Sequence, residues 1–93
     1  PAHGVYATRV TFENGESRPA VTNIGVRPTV DDGDRVTVEG FILDFQGDLY
    51  GQTVRMEFYK RLRGERKFPS LEALKDEVMR NAEQTRAYFS TQP

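Results

Sequence analysis

The hydrophobic period of this chain changes once, at Gly64, and that change limits the folds open to it. Before Gly64 apolar residues alternate with polar ones; after Ser70 they recur every three or four positions. A period of two belongs to a strand with one buried face, and a period near 3.6 to a helix with one buried stripe. The clearest β segment is Thr53 to Leu62. Val54, Met56, Phe58 and Leu62 share one face there, with Lys60 as the exception, and Arg55, Glu57, Tyr59 and Arg61 share the other. Val36 to Phe45 reads as a second strand, with Thr37, Glu39, Phe41, Leu43 and Phe45 on one face. Near the start, Val5 to Phe12 puts Tyr6, Thr8, Val10 and Phe12 together.

Turn chemistry separates these runs. Asn14-Gly15 follows the first strand, and in a type I′ hairpin both central residues need positive φ, which favours this pair. The returning strand covers about Ser17 to Ile24, and Pro19 marks it as an edge. Asn23 to Thr29 reads as a loop. Arg27-Pro28-Thr29 is most simply a turn, because Pro28 holds its neighbour extended. Ser70 is a suitable N-cap, Glu72 complements the positive helix end, and Leu71, Leu74, Val78, Ala82, Thr85 and Phe89 form the stripe. Strands followed by one terminal helix predict a mainly β domain: a small antiparallel β-barrel or sheet capped by that helix. Residues 1–93 are read as one domain, with strands over about 4–62, a ligand loop over about 63–69 and a helix over about 70–89.

Ninety-three residues suffice for one modest core, and a net charge of −1 gives no global attraction for nucleic acid or an anionic membrane. The chain has no cysteine and a single histidine, His3. Disulfides, thiolate metal sites, Ser-His-Asp triads and multi-histidine sites are thereby excluded or disfavoured. No apolar run approaches membrane-spanning length. The composition suits the cytoplasm.

Chemistry must then rest on carboxylates, arginines and hydroxyls. Glu39 shares its expected face with Phe41, Leu43 and Phe45, where desolvation would suit it to act as a general base. The alternative is a carboxylate escaping to solvent at the rim of the barrel. Lys60 to Phe68 is dense in Lys and Arg. It fits a nucleic-acid patch with Phe68 as a stacking platform, a site for an anionic or planar ligand, or a solvated loop. Tyr50 is either a wall for an aromatic ligand or a core tyrosine. Asp31 to Asp34 lacks the length and terminal Glu of a calcium loop.

Six segments in order are more specific than any one alone: Gly4-Val5-Tyr6-Ala7, Asn23-Ile24-Gly25-x-Arg27-Pro28-Thr29, Val38-Glu39-x-x-Ile42-Leu43-Asp44-Phe45, Asp48-Leu49-Tyr50-Gly51, Leu62-Arg63-x-Glu65-x-Lys67-Phe68 and Ser70-Leu71-Glu72-x-Leu74. Together they resemble the riboflavin kinase domain, in bacteria typically the C-terminal half of a bifunctional riboflavin kinase/FMN adenylyltransferase (FAD synthetase). The resemblance implies a six-stranded antiparallel barrel with a terminal helix, and transfer of the ATP γ-phosphoryl group to the ribityl 5′-hydroxyl of riboflavin, giving FMN and ADP. It puts the catalytic base at Glu39, ATP contacts at Ile42, Asp44 and Tyr50, and flavin contacts at Arg63, Arg66 and Phe68. It also implies a preceding adenylyltransferase domain in the same protein, and neither nucleic-acid nor membrane partners.

The family's Pro-Thr-Ala-Asn metal and phosphate motif precedes the Gly-x-Tyr strand. The resemblance therefore places the Mg²⁺ ligands before Pro1 and none in this chain. Thr29, followed by Val30-Asp31, is rejected as a substitute. The expectation is an N-terminally incomplete domain lacking its first strand, with little turnover alone although the intact protein is active. The family also usually carries an Asp near Asn81, which puts that helix contact in question. The competing reading is a non-catalytic small β-barrel that binds flavin or nucleic acid.

Overall fold

A computed structural model of the chain describes residues 2–29, 33–47 and 51–91, with side chains at 2–26, 36–47 and 51–91. Four strands, β1 (Gly4–Thr11), β2 (Ser17–Thr29), β3 (Gly33–Ile42) and β4 (Arg55–Arg63), precede one helix, α1 (Leu71–Ser90). The strands form one antiparallel sheet in the order β3-β2-β1-β4. The predicted class is correct: mainly β with a C-terminal helix. The six-stranded barrel, however, is represented among the described residues by a four-stranded open sheet.

The first hairpin turns as Asn14-Gly15 predicts, but by another geometry. Gly15 alone in the turn has positive φ, at 90°. The Phe12 N–H donates to the Glu16 carbonyl at 2.8 Å, and the Gly15 N–H to the Phe12 carbonyl at 3.0 Å. This is a three-residue loop with glycine in the left-handed position rather than a type I′ turn. The Asn14 side chain caps it by accepting from the Glu16 N–H at 2.9 Å.

Two further expectations change in β2. The strand continues to Thr29, so Asn23 to Thr29 is strand rather than loop, and Arg27-Pro28-Thr29 pairs with Arg35, Asp34 and Gly33. Nor is β2 an edge strand. Pro19 lies one step past the last β2–β3 pair, Ala20 with Ile42, where β3 has ended and a proline costs no ladder bond. Its carbonyl is still used, accepting from the Leu43 N–H at 2.9 Å.

The sheet buries both faces. One carries Tyr6, Thr8 and Thr22. The Thr8 and Thr22 hydroxyls bond at 2.8 Å, and Phe58 meets the Tyr6 ring edge-on at 5.3 Å. Val10, Phe12 and Ala20 extend this side, packed by Ile42, Phe45 and Met56. The other face carries Val5 and Val21, which pack with Leu43, Ala82 of α1 and Leu62.

That partition corrects two alternation readings. Leu43 and Phe45 do not share a face: the chain turns at Asp44, which has φ 54°, leaving Leu43 fully buried under α1 and Phe45 against Phe12 on the opposite side. Leu62 does not share the face of Met56 and Phe58. The β1–β4 register shifts twice, between Ala7/Thr8 and between Val5/Tyr6, so Leu62 and the residues beside it are re-aimed.

Helix α1 starts where Ser70 caps it, its side chain accepting from the Ala73 N–H at 3.1 Å. Of the expected stripe Ala82 and Thr85 are buried, but Glu77 and Asn81 join them in place of Leu71 and Leu74, which are 79% and 38% exposed.

Gly4 begins β1 at φ 148°, and a Cβ there would lie 2.6 Å from the Arg63 carbonyl oxygen. Gly4→Ala is therefore expected to destabilise the fold by roughly 1–3 kcal/mol through backbone strain and displacement of β4. Denaturant unfolding of the variant beside the parent measures it, and equal midpoints would refute it.

Candidate functional site

The sheet register builds the floor of a cleft. Arg63 pairs with Val5, Val5 with Asn23, and Asn23 with Glu39, so one row crosses β4, β1, β2 and β3. Three strand spacings place its ends roughly 14 Å apart. The loop after β4 and the first turns of α1 rise over this row and enclose a cleft of ≈ 720 Å³. Its lining includes Val5, Val21, Asn23, Glu39, Phe41, Arg63, Arg66, Phe68, Leu74 and Val78.

Four of the seven residues singled out from sequence thus meet in one cavity: Glu39, Arg63, Arg66 and Phe68. Ile42 and Asp44 do not line it. Ile42 packs against Val10, Phe12 and Ala20 on the other side of the sheet. Asp44 occupies the turn after β3 and pairs with Arg86 of α1 at 3.2 Å. Tyr50 lies outside the described residues.

The setting of Glu39 differs from the desolvated one expected. Phe45 faces away, Leu43 is committed to the core, and Phe41 is 49% exposed. Glu39 itself is exposed at the cleft. A bound ligand, rather than the surrounding strand residues, would have to exclude water from it.

The opposite end of the row is cationic and aromatic. The Arg63 and Arg66 guanidinium groups stand 5.4 Å and 4.7 Å from the Phe68 ring centroid. Such a stack offers planar surfaces and hydrogen-bond donors to a flat, polar ligand. Lys60 lies outside it, over Tyr88 at 5.9 Å. The basic run is therefore divided between two places rather than forming one continuous patch.

Sequence reasoning missed two residues of this region. Asn23, read only as the end of the returning strand and the entry to a loop, faces the cleft beside Glu39, and its buried Oδ1 has no partner among the described residues. The missed signal was β pairing of Asn23-Ile24-Gly25, which only the register reveals. Glu77 was not singled out at all, yet it is 8% exposed. Arg80 donates to its Oε1 at 2.5 Å, Arg63 approaches its Oε2 at 3.3 Å, and Arg66 is 4.0 Å from Oε1. Asn81 accepts from Arg63 Nε at 3.1 Å.

These contacts shift two titrations. The hydrogen bond from Arg80, opposed by burial and reinforced by the charges of Arg80 and Arg63 and by Asn81, holds the Glu77 carboxyl below its ordinary value. Burial, together with Arg66 and Arg80, lowers the pKa of Arg63, and Glu77 opposes that shift. The folded chain binds the Glu77 proton less tightly than the unfolded chain does. The stability from this carboxylate is therefore complete above the ordinary carboxylate range, near pH 4.3, and is lost as pH falls through the lower folded value. Melting temperature followed from pH 6 to pH 3 is expected to fall less steeply for Glu77→Gln than for the parent. Parallel curves would contradict it.

Among the described residues, no group of three or more carboxylates, imidazoles or thiolates could hold a metal ion. No described helix is long and apolar enough to cross a membrane.

A half-open β sheet capped by a helix, with a carboxylate at one end of a cleft and an Arg–Phe–Arg stack at the other, defines a small-molecule-binding β domain. The family model for riboflavin kinase (Flavokinase) matches residues 1–89. The chain belongs to the riboflavin kinase family. It is similar to bifunctional riboflavin kinase/FMN adenylyltransferases: 44% identical over 94% of its length to that of Pseudomonas fluorescens and 38% over 98% to that of Haemophilus influenzae. It is 39% identical over 96% of its length to that of Escherichia coli K12. The chain spans 28–29% of the length of these relatives. A solved structure described as a macrolide-efflux protein from Streptococcus pneumoniae superposes with a TM-score of 0.84 at 35% identity, over 92% of this chain and 28% of that one.

Proposed function

We propose that this chain is the flavin-phosphorylating part of a bifunctional, cytoplasmic riboflavin kinase/FMN adenylyltransferase, with the adenylyltransferase in a preceding domain. The single observation that carries the reading is the cross-strand row, which sets Glu39 and the Arg63–Phe68–Arg66 stack at opposite ends of one cleft. The isoalloxazine of riboflavin fits the stacked end, where guanidinium donors and the Phe68 ring cover a flat heterocycle. Its ribityl chain then runs over Val5 and Asn23 toward Glu39.

In that pose Glu39 accepts the proton of the ribityl 5′-hydroxyl as its oxygen attacks the γ-phosphorus of ATP. One P–O bond forms to the ribityl oxygen, the P–O bond to ADP breaks, and FMN and ADP result. Positioning carries most of the rate in phosphoryl transfer, with the base adding to it. Mg²⁺ would neutralise phosphate charge when bound. Ile42, Asp44 and Tyr50 remain proposed ATP contacts: Ile42 ends β3 and Asp44 lies in the turn after it, beyond Glu39 and outside the flavin cleft.

The test is FMN formation from riboflavin and ATP by the intact protein, resolved by chromatography. Production of FMN supports the reading, and tight riboflavin binding without FMN would favour the flavin-binding module instead. Salt-dependent oligonucleotide binding without riboflavin binding would favour the nucleic-acid module.

A further inference from the structure

Glu77 is the most buried carboxylate among the described residues, yet it does not line the cleft. It stands behind the flavin-side wall and contacts three arginines from three places: Arg63 at the end of β4, Arg66 in the following loop and Arg80 on its own helix. Arg80 is largely solvent-exposed and does not line the cavity, whereas Arg63 and Arg66 are the two that flank Phe68. Arg63 is mostly buried and receives its nearest counter-charge from Glu77, while Asn81 Oδ1 and the Gly64 carbonyl accept its hydrogen bonds.

We infer that Glu77 is a positioning residue of the flavin site: it holds Arg63, and through it the Phe68 wall, in the ligand-ready arrangement. This rests on the functional reading above. The argument is electrostatic and geometric. A buried guanidinium without a fixed counter-charge turns toward water, and long cationic side chains otherwise occupy many rotamers. The Glu77 carboxylate accepts from Arg80 on Oε1 and from Asn81 Nδ2 on Oε2, and its Oε2 lies 3.3 Å from Arg63 Nε as an ion pair, so the guanidinium of Arg63 is aimed before a ligand arrives. Asn81 supplies a neutral acceptor in the same place, 3.1 Å from Arg63 Nε. The negative charge that sets this end of the cleft therefore comes from position 77, and a carboxylate at position 81 would stand where it could take over.

The experiment compares the intact wild-type protein with Glu77→Gln and with the double variant Glu77→Gln/Asn81→Asp, by riboflavin fluorescence titration and steady-state kinetics. Glu77→Gln is expected to raise the riboflavin Kd and KM by roughly tenfold, between the worth of an exposed ion pair and that of a buried one, with kcat falling by less than KM rises. The double variant is expected to recover most of that loss. A residue serving only stability would show no such split and no such rescue.

Glu77→Gln binding riboflavin as tightly as a binding-competent wild type overturns the inference and leaves the kinase reading intact. Wild-type protein that binds no riboflavin overturns both. If Glu77→Gln does not fold, the double variant decides: folded and tight-binding supports the inference, folded and weak-binding overturns it. Failure of both to fold makes Glu77 a stability residue and also overturns it.

Discussion

Glu39→Gln in the intact protein is expected to lower kcat by roughly 100-fold or more, with riboflavin affinity nearly unchanged, as for loss of a general base. The substitution keeps the shape of the side chain and removes only its ability to take up a proton. The placement of Glu39 argues for this split. It lies at the far end of the row from the Arg–Phe–Arg stack, on a different strand, so losing its charge leaves the flavin wall untouched. Its exposure does not weaken the prediction, since a base needs reach to the hydroxyl first, and a bound ribityl chain and nucleotide supply the dry surroundings. FMN formation under saturating substrates, beside fluorescence titration of riboflavin, measures both quantities. An unchanged kcat would remove Glu39 from the chemistry.

The second large effect is at Arg63. Arg63→Met keeps most of the apolar stem but removes the guanidinium that stacks on Phe68, pairs with Glu77 and donates to Asn81. Stripping one partner from a buried ion pair typically costs about 3–5 kcal/mol. Here Arg80 remains bonded to Glu77, so the expected loss of stability is smaller, roughly 2–3 kcal/mol, together with at least a tenfold weaker riboflavin affinity. Arg80→Met serves as the control, since that side chain is mostly solvated and outside the cleft, and its cost is expected to stay below about 1 kcal/mol. Chemical denaturation and riboflavin titration of both variants separate the cases. Equal behaviour of the two would show that the arginines are interchangeable surface charges.

Much of the candidate site was legible in the sequence because its parts lie in short segments with local signatures. Glu39 stood out as an acid among alternating apolar residues, and Arg63, Arg66 and Phe68 as a basic–aromatic run after the last strand. What misled was the environment assigned to each. Glu39 was expected among Phe41, Leu43 and Phe45, but one left-handed residue, Asp44, sends Phe45 to the other face. Alternation assumes an unbroken pleat, and a turn or bulge of one residue inverts every later side chain. The two register shifts along β4 had the same effect on Leu62.

The sequence by itself determined the element types, the hairpin at Asn14-Gly15, the cap at Ser70 and the resemblance to riboflavin kinases, because period and turn chemistry act within a few residues. Tertiary structure alone decided that β2 runs on to Thr29, that Arg63 and Glu39 share a cross-strand row, and that the helix buries Glu77 and Asn81 beside the expected Ala82 and Thr85. The physical reason is that a charge on a helix goes inside only where partners surround it, and part of that set comes from distant segments. Arg80 lies on the same helix, but Arg63 and Arg66 come from β4 and the loop after it, and no local pattern announces them.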